Sequence, residues 1–363
     1  MNITLISPAD GLRFSVLDDL YREYIRMFEL KNGSEDRGVM PEFGHRDGLD
    51  YDCTYPKSVI FRWRSDDPLA RTLLEISDDE TFAAPSLVTI HTVRQAADGE
   101  GEYFAEGTNF RVGHKYFWRV TSGDAVSEAR SFETYPDKIR PVEISGIYNV
   151  RDVGGRMTDS GRRIKQGLLY RGTQFEHMSE NKSELNDHGR LMILRDLGIK
   201  TELDLRGDDD MDENPVVPEL RVYRFLGGSY YETFPECDYR EALRGTFRVL
   251  LDESNYPIYM HCAAGADRTG TVAYYLESIL GVPVDDIMLG YKITGLSLPD
   301  HEMDGWYKKR DVEKHLGLLW GKYGKDVPFR ELMKLDLMDL GFTEDDFDKL
   351  RRIFLEDAEE TDE

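Results

Sequence analysis

The stretch YPIYMHCAAGADRTGTVAYYLESILG, residues 256–281, decides how this chain is read. Its first part, YPIYMHC (256–262), is a short apolar run that reads as a buried strand. Its last part, GTVAYYLESILG (270–281), reads as a helix closed by Gly281, with Pro283 just beyond. The small residues Ala263, Ala264, Gly265 and Ala266 lie between them. The first N–H groups of a helix have no intrahelical partner and the dipole favours an anion there, so strand, turn and helix together make a phosphate cradle. Small residues let successive loop amides converge on one oxyanion as a nest. Arg268, six positions after Cys262, returns to the same point and can offer a bidentate guanidinium to two phosphate oxygens.

The same placement activates a nucleophile. Helix N-termini and a neighbouring arginine favour the thiolate form of a cysteine, so the expectation is that Cys262 attacks phosphorus. A phosphocysteine would form and water would hydrolyse it, dividing one hard step into two. Thr269 can hydrogen-bond the sulfur as it leaves. The leaving oxygen needs a proton from a carboxylic acid. Asp204, at the strand end in the Asp-Leu-Arg of KTELDLRG (200–207), is the first choice because a separate loop can approach opposite the thiolate, and Asp267 inside the loop is the other candidate. Asp208, Asp209, Asp210, Asp212 and Glu213 read as a solvated face. Arg171 and Arg206 read as partners of carboxylates, with a place near the pocket as the alternative, His261 as a residue that bonds loop carbonyls, and Arg151 with Asp152 as structural. A cysteine six residues before an arginine is by itself a common accident, but the Asp-Arg-Thr-Gly run favours a phosphatase over a rhodanese-like sulfur carrier or an inert buried cysteine.

HCAAGADRTG resembles the signature of the tyrosine phosphatase superfamily. Within it, the match is to the bacterial tyrosine/dual-specificity type, whose signature runs His-Cys-x-x-Gly-Lys-Asp-Arg-Thr-Gly. NVRDVGG (149–155), GLLYRG (167–172) and IKTELDLRGDDD (199–210) resemble upstream segments of that family in the same order. The resemblance spans about 144–300 and implies Cys262 as nucleophile, Arg268 as phosphate clamp, and no need for a metal or cofactor. The chain departs from the pattern at Ala266, where the family often has the lysine associated with phosphoinositide substrates. The expectation is therefore a protein or peptide phosphotyrosine substrate, with Ala263, Ala264, Gly265, Ala266, Asp267 and Arg268 binding the phosphate and Tyr230, Tyr231 and Phe234 offering a slot for the ring. An inositol phosphate or phosphoinositide phosphatase, and a catalytically silent phosphopeptide-binding module, are the alternatives.

Upstream the texture differs. SVIFRWR (58–64), RTLLEIS (71–77), SLVTIHTV (86–93), HKYFWRVTS (114–122) and ARSFET (129–134) alternate as half-buried strands do. They predict an all-β sandwich over 1–136. With an opening ISPADG and a Tyr-x-Trp-x-Val strand it resembles a fibronectin type III-like domain, expected to dock a partner or act as a spacer. Leu17, Leu20, Tyr21, Tyr24, Ile25 and Phe28 fall at helical spacing and predict an inserted helix within about 14–50. Residues 137–363 are then an α/β phosphatase domain of mainly parallel strands, ending in amphipathic helices and an acidic tail. A net charge of −24 repels nucleic acid and anionic lipid surfaces. No run approaches the roughly 20 apolar residues of a membrane span. Cys53, Cys237 and Cys262 are too scattered for a disulfide framework or zinc cluster, though Cys237 could be a redox partner of Cys262. The start shows no export signal, so a cytoplasmic location is expected as written, and an exported one if a leader was removed.

Overall fold

A computed structural model describes residues 2–30, 54–67, 71–84, 88–95, 101–177, 183–206, 215–225, 237–297 and 310–357. The expectations for Cys53, for Asp208, Asp209, Asp210, Asp212 and Glu213, for Tyr230, Tyr231 and Phe234, and for the Cys237 side chain fall outside what is described. Contacts divide the chain into two compact units, Met1–Asp18 with Tyr55–Glu143, and Asp19–Thr54 with Ile144–Glu363. This grouping differs from the sequence boundaries, because the segment after Asp18 belongs with the second unit rather than with the strands that flank it.

The first unit carries β1 (Ile3–Ser7), β2 (Leu12–Phe14), β3 (Val59–Ser65), β4 (Leu73–Ser77), β5 (Thr89–Gln95), β6 (Glu102–Thr108), β7 (Lys115–Ser122), β8 (Ala125–Val126), β9 (Arg130–Thr134) and β10 (Arg140–Pro141). One sheet runs β1-β3-β6-β5 and another β2-β9-β7-β4. Each buries alternate residues: Val59, Phe61 and Trp63 from β3, and Tyr116, Trp118 and Val120 from β7. Phe61 meets Trp118 edge-on at 5.1 Å and Phe132 at 5.8 Å between ring centres, so the inner faces of the two sheets share one aromatic core. Strand β6 escapes the sequence reading because two of its inward positions are Ala105 and Gly107. The small residue is required at the second, since a Cβ on Gly107 would stand 3.0 Å from the Phe61 ring.

In the second unit the strands are β11 (Arg151–Asp152), β12 (Leu169–Gly172), β13 (Thr201–Asp204), β14 (Arg221–Arg224) and β15 (Ile258–His261), in the order β11-β12-β15-β13-β14. β12, β15, β13 and β14 are parallel, and β11 is antiparallel to β12. Every residue of β12, β13 and β15 is buried, as strands covered on both faces require. The helices are α1 (Asp19–Leu30), α2 (Asp187–Leu191), α3 (Cys237–Leu250), α4 (Asp267–Leu280), α5 (Val284–Lys292), α6 (Arg310–Tyr323), α7 (Phe329–Asp339) and α8 (Glu344–Phe354). α4 is the central helix, buried from Thr269 to Leu280 among Phe247, Leu332, Phe347 and Leu350, and Gly281 ends it at φ +87°. It begins at Asp267, three residues before the position expected. Its cap, Ala266, makes no side-chain cap bond, so the usual Ser, Thr, Asp or Asn signal is missing. Asp267 and Arg268 therefore stand in the first helical turn.

α1 forms at the predicted stripe, with Tyr21, Tyr24 and Ile25 buried. The Tyr24 hydroxyl donates to the Lys292 carbonyl at 3.4 Å, and Lys292 lies over the Phe28 ring at 5.8 Å, so α1 is fastened to the end of α5. Tyr24→Ala should destabilise the second unit by about 3 kcal/mol, the usual cost of deleting a buried ring. Calorimetry of the full chain checks this: the transition of the second unit should move down while that of the first stays. A shift confined to the first unit would contradict the placement of α1.

Candidate active site

The parallel register puts Gly172, His261 and Asp204 side by side at the carboxyl ends of β12, β15 and β13. Open α/β sheets bind ligands at that edge. Cys262 follows His261 directly, is 3% exposed, and starts the turn into α4.

The turn is held from outside by its carbonyls. The Gln174 amide donates to Ala263 O at 3.0 Å, Asn149 Nδ2 to Ala264 O at 3.0 Å, and Arg171 Nη2 to Gly265 O at 2.9 Å and Ala266 O at 3.3 Å. In a planar trans peptide the N–H points opposite to the C=O. The amides of residues 264 to 267 are thereby turned to the other side of the chain, where a nest for an anion requires them. Gly265 sits at φ +65°, and a Cβ there would stand 2.1 Å from Gly172 O, so the closeness of the loop to β12 depends on glycine.

Asn149 is fixed in turn. Arg151 Nη1 donates to Asn149 O at 3.1 Å and bonds its side-chain oxygen, while Nη2 donates to Gly290 O at 3.0 Å and Thr294 Oγ1 at 3.1 Å. Asp152 accepts from the amides of Gly154 at 2.8 Å and Gly167 at 2.6 Å. Arg156 pairs with Glu277 at 2.8 Å. Arg151, Arg156, Arg171 and Glu277 are all buried, so three guanidiniums gather around the Glu277 carboxylate in the elements that support the loop. Burial, and then the neighbouring Arg151, push Arg171 well below its ordinary value, and burial pushes Glu277 up. An anion in the loop would offset this concentration of buried positive charge, a local reversal of the chain's net −24.

Cys262, Ala263, Ala264, Gly265, Ala266, Asp267, Arg268 and Thr269 are brought together on one loop and helix turn. Asp267 and Arg268 are half-buried. Tyr291 on α5 donates its hydroxyl to Asp267 Oδ1 at 3.2 Å. Thr269 is fully buried and its hydroxyl has no hydrogen-bond partner among the described residues, leaving it available to a group bound at the loop.

Asp204 is placed differently. It is fully buried, accepts from Arg206 N at 3.0 Å, Nε at 2.9 Å and Nη2 at 2.7 Å, and has Arg224 Nε at 3.4 Å. Burial pushes this carboxyl up, but the hydrogen bonds and charge of Arg206, with His261, outweigh it and bring it down to about 2. A group held ionised in this way carries no proton to donate near neutral pH. Arg206 is also spent, since its other edge holds both oxygens of Glu176 at 2.7 and 2.9 Å. His261 bonds the Cys262 carbonyl at 3.2 Å and Glu202 Oε1 at 2.9 Å. Burial pushes it down, and Glu202 and Asp204 push it up by more. Glu202, Asp204 and His261 bring three possible ligand atoms within 4.8 Å, with His261 Nε2 on Glu202 Oε1, Arg206 on both oxygens of Asp204, and the buried Glu202 Oε2 without a hydrogen-bond partner among the described residues.

These observations meet the comparison with known proteins. The model of a family described as "Tyrosine phosphatase family" matches residues 142–335, more than half of the chain. The chain belongs to the tyrosine phosphatase family. Among curated relatives of this family member, "Putative tyrosine-protein phosphatase H16_A0669" of Cupriavidus necator is 30% identical over 174 residues, covering 40% of the chain and 59% of the relative. "Triple specificity protein phosphatase PtpB" of Mycobacterium tuberculosis is 27% identical over 207 residues, covering 43% and 70%. The chain thus spans about three fifths of the first relative. The catalytic domain of the PP-IP phosphatase SIW14 from S. cerevisiae, 15% identical, aligns over 43% of the chain and 90% of its own with a TM-score of 0.28, too low to carry an argument. Among the described residues, no helix is long and apolar enough to cross a membrane.

Sequence reasoning gave no role to Asn149, Gln174, Glu202 or Tyr291. Asn149 opens a segment whose likeness to the family was visible, but its bond to the loop is a property of the fold. Gln174 acts through its backbone and has no sequence signal.

Asp204→Asn should destabilise the protein at pH 7 by about 3 kcal/mol, because the buried Arg206 loses one of its two carboxylate partners and the part-buried Arg224 a neighbouring one. The native carboxyl is depressed from 3.8 to about 2, so its contribution is present above about pH 4 and fades as pH falls towards 2. Urea unfolding at pH 7 and pH 3 checks this. A gap between wild type and variant that is absent at pH 7 would show that the pair does not hold a charge.

Proposed function

We propose that this chain hydrolyses phosphate monoesters through a cysteinyl-phosphate intermediate, with phosphotyrosine in a protein or peptide as its substrate. The observation that carries the reading is the set of carbonyls, from Ala263 to Ala266, held away from the loop's inner side by Gln174, Asn149 and Arg171. Cys262 attacks phosphorus while the opposed amides and the Arg268 guanidinium hold the equatorial oxygens, where charge concentrates in the transition state. Asp267 protonates the departing phenolate and then activates the water that releases phosphate. Asp204, the first choice from sequence, is set aside for this role because Arg206 keeps it ionised. Thr269 bonds the sulfur when it becomes the leaving group.

Substrate choice rests on which cations are left over. A polyphosphorylated inositol ring needs additional cations at the pocket mouth. The loop position that could offer one is Ala266, Arg206 is occupied by Asp204 and Glu176, and Arg171 is buried on the loop carbonyls. A phosphotyrosine brings one dianion and an apolar ring. In this reading the first unit, a fibronectin type III-like sandwich, docks a partner or spaces the enzyme and supplies no catalytic group.

Cys262→Ser should abolish turnover of p-nitrophenyl phosphate in EDTA, by at least about a thousandfold, while vanadate or phosphate still binds. Residual hydrolysis within tenfold of wild type would sink the mechanism. Substrate choice is read as kcat/KM on a phosphotyrosine peptide against inositol polyphosphates and short-chain phosphatidylinositol phosphates. A preference of about tenfold for the peptide is expected, and an equal preference for either inositol substrate would replace this reading.

A further inference from the structure

The Tyr291 hydroxyl is not an obvious neighbour for the loop. It lies 24 residues downstream of Asp267 on a different helix, yet it donates to Asp267 Oδ1 at 3.2 Å. Its reach depends on Gly270, one turn further along α4. A Cβ at Gly270 would stand 2.7 Å from two ring carbons of Tyr291, so the ring rests on the helix where no side chain is present. Tyr274 flanks the ring at 6.2 Å between centres. α5, which carries Tyr291, is anchored to the loop support by Arg151, through Gly290 O at 3.0 Å, and to α1 through Lys292. The ring is thus held in a packed slot with its one polar atom aimed at the carboxylate.

From this contact, and resting on the assignment of Asp267 as the general acid, the geometry points to Tyr291 as the positioning residue that orients the acid and tunes its protonation. A hydroxyl donating to Oδ1 fixes the rotation of the carboxyl and with it the edge of the acid presented to the leaving group. The same bond stabilises the ionised carboxylate more than the neutral acid and so lowers its pKa. Among described residues, the other charged groups on the elements packed about this turn are Asp285, Asp286 and Lys292 on α5, Glu277 on α4, Arg171 on β12, and Cys262 and Arg268 on the loop and first helical turn. The cations act in the same direction as Tyr291, and the carboxylates of Asp285, Asp286 and Glu277 act against them.

Tyr291→Phe keeps the ring and its packing and removes only the donor. In the full chain, the basic limb of the kcat/KM pH profile should move to higher pH, because the acid then holds its proton longer. At the optimum, kcat should fall about tenfold for aryl phosphates with poor leaving groups and barely change for good ones, with KM unaltered. Asp267→Asn in the same series separates two failures. If that variant keeps the basic limb, Asp267 is not the acid and the underlying reading fails. If it loses the limb while Tyr291→Phe leaves limb and leaving-group dependence as in wild type, the role of Tyr291 is refuted. A 13C titration of the Asp267 carboxyl tests the same contact without turnover: its pKa should rise in Tyr291→Phe, and an unchanged value would overturn the proposal.

Discussion

A peptide loop binds an oxyanion only if several consecutive N–H groups point the same way, and a chain left to itself does not hold that arrangement. Here the carbonyls on the opposite edge are pinned one by one. Gln174, Asn149 and Arg171 take the oxygens of residues 263 to 266, with Arg171 in β12, Gln174 two residues beyond it and Asn149 two residues before β11. Arg151 fixes Asn149, and Asp152 closes the turns around Gly154 and Gly167. The buried polar residues of NVRDVGG and LYRG are therefore a scaffold for one loop. Their cost of burial is met by hydrogen bonds to backbone oxygens as well as by ion pairs.

Charge is distributed in the same spirit. The chain is acidic overall, but Arg151, Arg156 and Arg171 are buried behind the loop with Glu277 as their carboxylate. On the neighbouring strand the arrangement is reversed, since Asp204 and Glu176 enclose Arg206, and Glu202 with Asp204 flank His261. Buried pairs of this kind contribute little net stability against apolar substitutes but are costly to break on one side. They hold His261, and with it the carbonyl of Cys262, in one orientation.

Much of this was legible in the sequence. The strand, turn and helix around Cys262, the stripe of α1, and five strands of the sandwich all follow from periodicity and turn residues. The start of α4 was not, because Ala266 replaces the usual cap. Strand β6 was not, because Ala105 and Gly107 carry no hydrophobic signal. Asp204 looked like an acid from its place at a strand end, yet whether a carboxyl is free or ionised depends on what packs against it. Only the fold shows that Arg206, two residues on, folds back onto it. The reach of Tyr291 to Asp267 is equally tertiary, since it depends on a bare helix surface at Gly270.

The most direct test of the loop is a crystal structure of the protein with vanadate bound. The account predicts vanadium bonded to Cys262 Sγ, its equatorial oxygens accepting from the amides that follow Cys262 and from Arg268, and the carbonyls of Ala263 to Ala266 still held by Gln174, Asn149 and Arg171. Vanadate bound away from Cys262, or loop carbonyls turned inward toward it, would contradict it.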